Sequence, residues 1–191
     1  MATTAHSLLV GVGSMLGDDQ IGWMVAERIA GKLSTGPAVS GSAERGAAFL
    51  LKSPSGNISV RLATIPLDVL DWMDGVRRLH VVDACRSLHP AGKVHRLDWS
   101  ILATNTANDS RDSALRIGGN TTHDFGILEV LKLAEQTGRL PDEVVIWAID
   151  GKRFELGDRI TDEVEQVVSS VVDRILAEIP VATNSNAAAA G

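Results

Sequence analysis

The apolar residues of this chain fall into two rhythms. Short unbroken runs alternate with longer stretches in which apolar positions recur every three or four residues. The run Leu8-Leu9-Val10 with Val12 predicts a strand over residues 7–13, covered on both faces because no polar position interrupts it. Ile21, Val25, Ile29 and Leu33 stand at four-residue steps and predict a helix over 19–33 with one apolar face. Further strands are predicted over 58–62, 79–82 (ending at Asp83), 93–97 and 143–149 (ending at Asp150). Further helices are predicted over 67–76 behind Pro66, over 123–136 through Ile127, Leu128, Leu131 and Ala134, and from Thr161 to Ile179.

The intervening segments lack either period. Residues 34–42 are rich in Gly, Ser and Pro and form a loop, 43–52 a short helix, and Ser53-Pro54-Ser55-Gly56-Asn57 a turn. Residues 100–120 are polar and aperiodic and make a long loop. Strands alternating with helices give a three-layer α/β/α fold with a mainly parallel or mixed sheet of about five strands. Residues 1–180 make one α/β domain; 181–191, rich in Ala and Asn, make a tail without structure.

Composition narrows the partners. The chain has 191 residues, 45% of them apolar, enough for a substantial core. A net charge of −6 without a long basic run excludes nucleic acid and anionic membrane as main partners. No apolar stretch approaches the roughly 18 residues of a membrane span. The lone Cys85 forms no internal disulfide, which fits a reducing cytoplasm, and the N-terminus has no basic signal-peptide region.

The first strand runs into Gly11-Val12-Gly13-Ser14-Met15-Leu16-Gly17-Asp18-Asp19-Gln20-Ile21-Gly22. Gly-rich strand-to-helix turns usually present N–H groups to a phosphate. Two carboxylates there repel a phosphate and attract a cation instead. Asp83 and Asp150 end later strands, and His123 opens a helix. All five residues therefore belong to the carboxyl-end rim of the sheet, where sites in such folds gather. Each also has an ordinary explanation. Asp is favoured at helix starts, and that role is assigned to Asp18, so that Asp18→Asn should be mild. Asp83 and Asp150 also suit turns, and His123 suits a capped helix start.

Three of these segments together resemble the nickel–iron hydrogenase maturation endopeptidases: the Gly-rich turn, Val81-Val82-Asp83-Ala84, and Thr122-His123-Asp124-Phe125-Gly126, in that order. The resemblance spans about residues 7–178. It implies a cytoplasmic, monomeric peptidase that removes the C-terminal extension of a hydrogenase large-subunit precursor after nickel insertion. Carried over by motif, Asp19, Asp83 and His123 are the metal-contacting residues; Asp150 is a second-tier candidate by its rim position alone. The resemblance implies nickel brought by the precursor, with zinc or cadmium able to occupy the same donors. Whether the metal is recognised or also catalytic stays open.

Two carboxylates and an imidazole are a mixed O/N set suited to such ions, and a helix N-terminus keeps the imidazole neutral, the form that binds metal. Cys85 reads as a small buried side chain, and His6, His80, His89 and His95 show no ligand spacing. No Gly-x-Ser-x-Gly elbow or His-Glu-x-x-His helix is present. Two rivals remain. One is a metal-dependent chaperone of the large subunit that does not cut. The other is a dinucleotide-binding module built on Gly11, Gly13 and Gly17, disfavoured by the acid pair and by the lack of an acid after Leu62.

Overall fold

A computed structural model of the protein describes residues 6–33, 48–53, 56–106, 116–117 and 126–179. Its strands are β1 (Ser7–Val12), β2 (Ala48–Ser53), β3 (Gly56–Ala63), β4 (Arg78–Arg86), β5 (Val94–Asp98), β6 (Arg116–Ile117) and β7 (Glu143–Asp150). The helices are α1 (Ile21–Leu33), preceded by a 3-10 turn over Gly17–Gln20, then α2 (Asp68–Asp71), α3 (Trp99–Thr106), α4 (Ile127–Gln136) and α5 (Asp162–Glu178). The strands form one sheet in the order β2-β3-β1-β4-β7-β5, with β6 added to the end of β4. β3, β1, β4 and β7 are mutually parallel, whereas β2, β5 and β6 run antiparallel to their neighbours.

The three layers follow from burial. Every residue of β1 is buried, and its side chains alternate between two cores. Leu9 points to the side covered by Ile21, Val25 and Ile29 of α1 and by Val164, Val168, Val171 and Ile175 of α5. Leu8 and Val10 point to the side covered by Val69 of α2, Trp99 of α3 and Ile127, Val130 and Leu131 of α4. Each fully covered aliphatic side chain contributes about 1.5–3 kcal/mol. Where α1 crosses β1, Gly11 and Gly22 interlock: a Cβ on Gly22 would meet the Val12 carbonyl and lie 2.6 Å from the Val82 carbonyl oxygen. Only glycine lets the strand and helix approach this closely.

The expected layered α/β fold is the one observed, and the sheet is wider than the five strands expected. The helix expected over 43–52 is not there: residues 48–53 are β2, in antiparallel register with β3 from Ala48↔Arg61 to Ser53↔Gly56. The apolar run at 48–51 fits either element, and antiparallel pairing with β3 decides for strand; residues 43–47 lie outside the described residues. The helix expected over 67–76 shrinks to the single turn of α2, which ends at Asp71, and Gly75, with a left-handed φ of 74°, turns the chain toward β4. The loop expected over 100–120 contains α3, anchored by buried Trp99, and the two residues of β6. The tail expected over 181–191 lies outside the described residues.

Candidate functional site

β1 and β4 are neighbours, yet the chain leaves them toward opposite faces. From β1 it enters α1, and from β4 it passes through β5 to α3 and α4. A crevice opens between the carboxyl ends of two such strands, the usual place for a site in this kind of sheet. Asp19 and Asp83 border it.

The ordinary explanation for Asp83, a turn residue ending its strand, does not hold. Asp83 lies inside β4, in register with Ala148 of β7, and three more residues of strand follow. Its side chain alternates to the α4 side with Val81 and Cys85. It is 1% exposed, accepts a hydrogen bond from the Ala84 N–H, and leaves Oδ2 with no partner. Asp19 sits in the 3-10 turn. The Ser14 hydroxyl and the Ser14 backbone N–H both bond to its carboxylate, and Arg86 lends positive charge. Burial outweighs these and still raises the Asp19 pKa. Asp83 is raised well above the ordinary carboxyl value, first by burial and then by the nearby negative charge of Asp19. The site is thus a desolvated carboxylate pair with one oxygen unsatisfied. His123 lies outside the described residues.

Asp18 has a different role from the helix cap expected of it. It is fully buried, inside the 3-10 turn. Its Oδ2 accepts the N–H groups of Lys152 at 2.7 Å and Arg153 at 3.0 Å, and its Oδ1 accepts the N–H of Thr161 at 2.7 Å. Its own N–H donates to the Arg153 carbonyl at 2.7 Å. Gly17, with φ of 52°, tucks against that same carbonyl, where a side chain would collide. Asp18 thereby fastens the segment after β7 to the turn that carries Asp19, and it fixes the start of α5. Thr161 takes the N-cap position without a side-chain capping bond.

Asp150 is the buried last residue of β7 and not part of a turn. It accepts hydrogen bonds from His95 Nε2 at 2.6 Å and from Cys85 Sγ at 3.5 Å. His95, which shows no ligand spacing in sequence, thus has an acid and a thiol beside it in space. Burial and the Asp150 charge push the Cys85 thiol far above its ordinary pKa, so it is no ready nucleophile. His80 lies beneath Trp147, whose Nε1 donates to its Nδ1 at 3.3 Å, and burial lowers its pKa to about 4. Sequence alone did not point to Ser14, which hydrogen-bonds Asp19, or to Arg86, whose charge acts on it more weakly. Ser14 was detectable as a hydroxyl within a tight Gly-flanked turn; Arg86 carried no such signal.

Solved structures share this architecture. The hydrogenase maturating endopeptidase HybD from Escherichia coli is 18% identical, with 91% of each chain covered and a TM-score of 0.61. A second Escherichia coli endopeptidase, solved in solution, is 19% identical over 90% of each chain, with a TM-score of 0.63. The [NiFe] hydrogenase maturation protease HybD from Thermococcus kodakarensis is 19% identical, covering 92% of this chain and 99% of that one, with a TM-score of 0.60. The fold is thus that of the hydrogenase maturation endopeptidases. No curated protein matches the chain. The HycI hydrogenase maturation protease model matches residues 62–178, and the chain belongs to that family. It is a peptidase of hydrogenase maturation, which sets aside the dinucleotide-binding and non-cutting chaperone readings.

Proposed function

We propose that this peptidase removes the C-terminal extension of a nickel–iron hydrogenase large-subunit precursor once nickel is in place, and that Asp19, Asp83 and His123 meet the metal. One observation carries the reading: the buried Asp83 carboxyl keeps an unpartnered oxygen beside a second acid. A buried carboxylate beside a half-buried one is costly unless a cation or a proton compensates. A divalent cation fits these oxygens, and an imidazole completes a set suited to nickel, with zinc or cadmium as substitutes. His123 enters by its motif alone. Its segment leads into α4, whose Ile127 packs in the same core as Val81 and Cys85, on the side of β4 that carries Asp83.

A metal held there would polarise the scissile carbonyl or activate a water. The chain's own acids, rather than a serine or cysteine, then carry the site. The Ser14 hydroxyl and backbone N–H fix Asp19. The nickel itself belongs to the substrate, so an empty precursor gives the enzyme less to hold. The rim also suits a protein substrate. Met15, Ile65, Leu67, Leu88 and Leu156 are exposed apolar side chains on loops leaving the carboxyl ends of β1, β3, β4 and β7, with Leu88 98% and Leu156 93% exposed. We place the enzyme in the cytoplasm as a monomer, consistent with its single free cysteine and with no described helix long and apolar enough to cross a membrane.

The experiment is incubation of purified protein with nickel-loaded and with metal-free large-subunit precursor at equal concentration. Loaded precursor should gain electrophoretic mobility as the extension is lost, and metal-free precursor should not. Efficient cleavage of metal-free precursor would contradict the nickel requirement; no cleavage of either form would contradict the assigned substrate.

A further inference from the structure

Cys85, His95 and Asp150 form a second cluster, separate in chemistry from the acid pair. Cys85 of β4 and Asp150 of β7 stand directly opposite in the parallel ladder. β5 pairs with β7 and brings in His95. Sγ, a ring nitrogen and a carboxylate oxygen of the three all lie within 4.8 Å of one another. Among the described residues these three form a potential ligand group. Cys85 and Asp150 are buried, while the His95 side chain is 15% exposed and opens the cluster to solvent. The His89 ring, on the exposed loop between β4 and β5, lies 5.1 Å from the His95 ring and is tilted to it by 37°. In sequence the pattern is Cys85, then His89 four residues on, then His95 six further.

We propose that Cys85, His95 and Asp150 bind a borderline-soft divalent cation of the zinc class. Thiolate, imidazole and carboxylate are the zinc donors, at bond lengths of about 2.0–2.3 Å in a tetrahedral arrangement. Ligand atoms in such a shell stand roughly 3.3–3.7 Å apart. Sγ and Oδ1 of Asp150 are already at 3.5 Å. The His95 to Asp150 contact, at 2.6 Å, opens slightly as the ring releases its hydrogen bond. Without metal, Asp150 accepts two hydrogen bonds, one from the thiol and one from the ring. On binding, the Sγ–H bond breaks, its electron pair goes to the metal, and the proton leaves to solvent. His95 binds through a bare Nε2, its proton passing to Nδ1 when that nitrogen is free and otherwise to solvent. The cation would tie the edge strand β5 to β4 and β7, one alternation along β4 from Asp83.

The test is cobalt titration of the metal-free protein carrying Asp19→Asn and Asp83→Asn, which removes the rim acids. One equivalent of cobalt should give tetrahedral visible bands and a near-ultraviolet thiolate-to-cobalt absorption, and zinc should displace both. Adding Cys85→Ser should abolish the thiolate band, and His95→Gln should weaken binding at least about tenfold. Zinc should also raise Tm in the first protein and not in the other two. Circular dichroism checks folding, and the partly exposed His95→Gln carries the test if Cys85→Ser folds poorly. No thiolate band at saturating cobalt, or a band indifferent to His95→Gln, overturns the proposal. Neither result bears on precursor cleavage, because the Asp19–Asp83 site contains no sulfur.

Discussion

Asp83→Asn should give a protein that is more stable than the parent at neutral pH and cleaves precursor at least about a hundredfold more slowly. Even residues that only support metal ligands typically cost 10–100-fold when changed, so loss of a ligand costs at least about that. The stability gain follows from the titration of the buried acid. Burial and the Asp19 charge hold its folded-state pKa well above the ordinary 3.8. As pH rises from about 3.8, the unfolded chain releases this proton while the folded protein keeps it. Stability therefore falls over that interval, until the raised folded value is passed, and the penalty then persists. Asparagine has no proton to lose and keeps the shape. Urea denaturation should show variant and parent closest in acid and furthest apart at neutral pH. Equal stability at both, or near-normal cleavage, would mean that Asp83 is neither the desolvated acid nor the ligand described.

Asp18→Asn should instead unfold the protein more readily, against the mild effect its sequence context predicts. A carboxylate accepts at both oxygens, and Asp18 uses both on buried or half-buried backbone N–H groups. Asparagine offers one acceptor. If its oxygen faces Lys152 and Arg153, its amide meets the Thr161 N–H donor to donor. Leaving one buried donor unmet costs about 1–3 kcal/mol, which lowers Tm by roughly 2–12 °C in a protein of this size. Asp18→Ala strands all three donors and should cost more. Calorimetry decides: a Tm equal to the parent's in Asp18→Asn would show that these bonds do not hold the segment after β7.

What the sequence revealed depended on how local the cause was. β1 and β7 were legible because their apolar runs are unbroken, and α1 because Ile21, Val25 and Ile29 keep helical spacing. β2 was not, since four apolar residues in a row carry no period and a neighbouring strand decides their state. The acid pair was legible because Asp19 follows a Gly-rich turn and Asp83 a buried run. The partners of Asp18 lie 134 to 143 residues away, so its local context pointed only to a cap. Cys85, His95 and Asp150 meet through the pairing of β4, β7 and β5, and no spacing in one segment could announce that.

The central claim is that the Asp19–Asp83 pair touches the metal carried by the precursor. Nickel-edge X-ray absorption tests it directly, comparing loaded precursor alone with its freeze-trapped complex with this protein. The account predicts added oxygen or nitrogen scatterers at about 2.0–2.2 Å in the complex, and their loss when Asp19→Asn and Asp83→Asn are introduced together. A nickel spectrum unchanged by binding of the unmodified protein would contradict it.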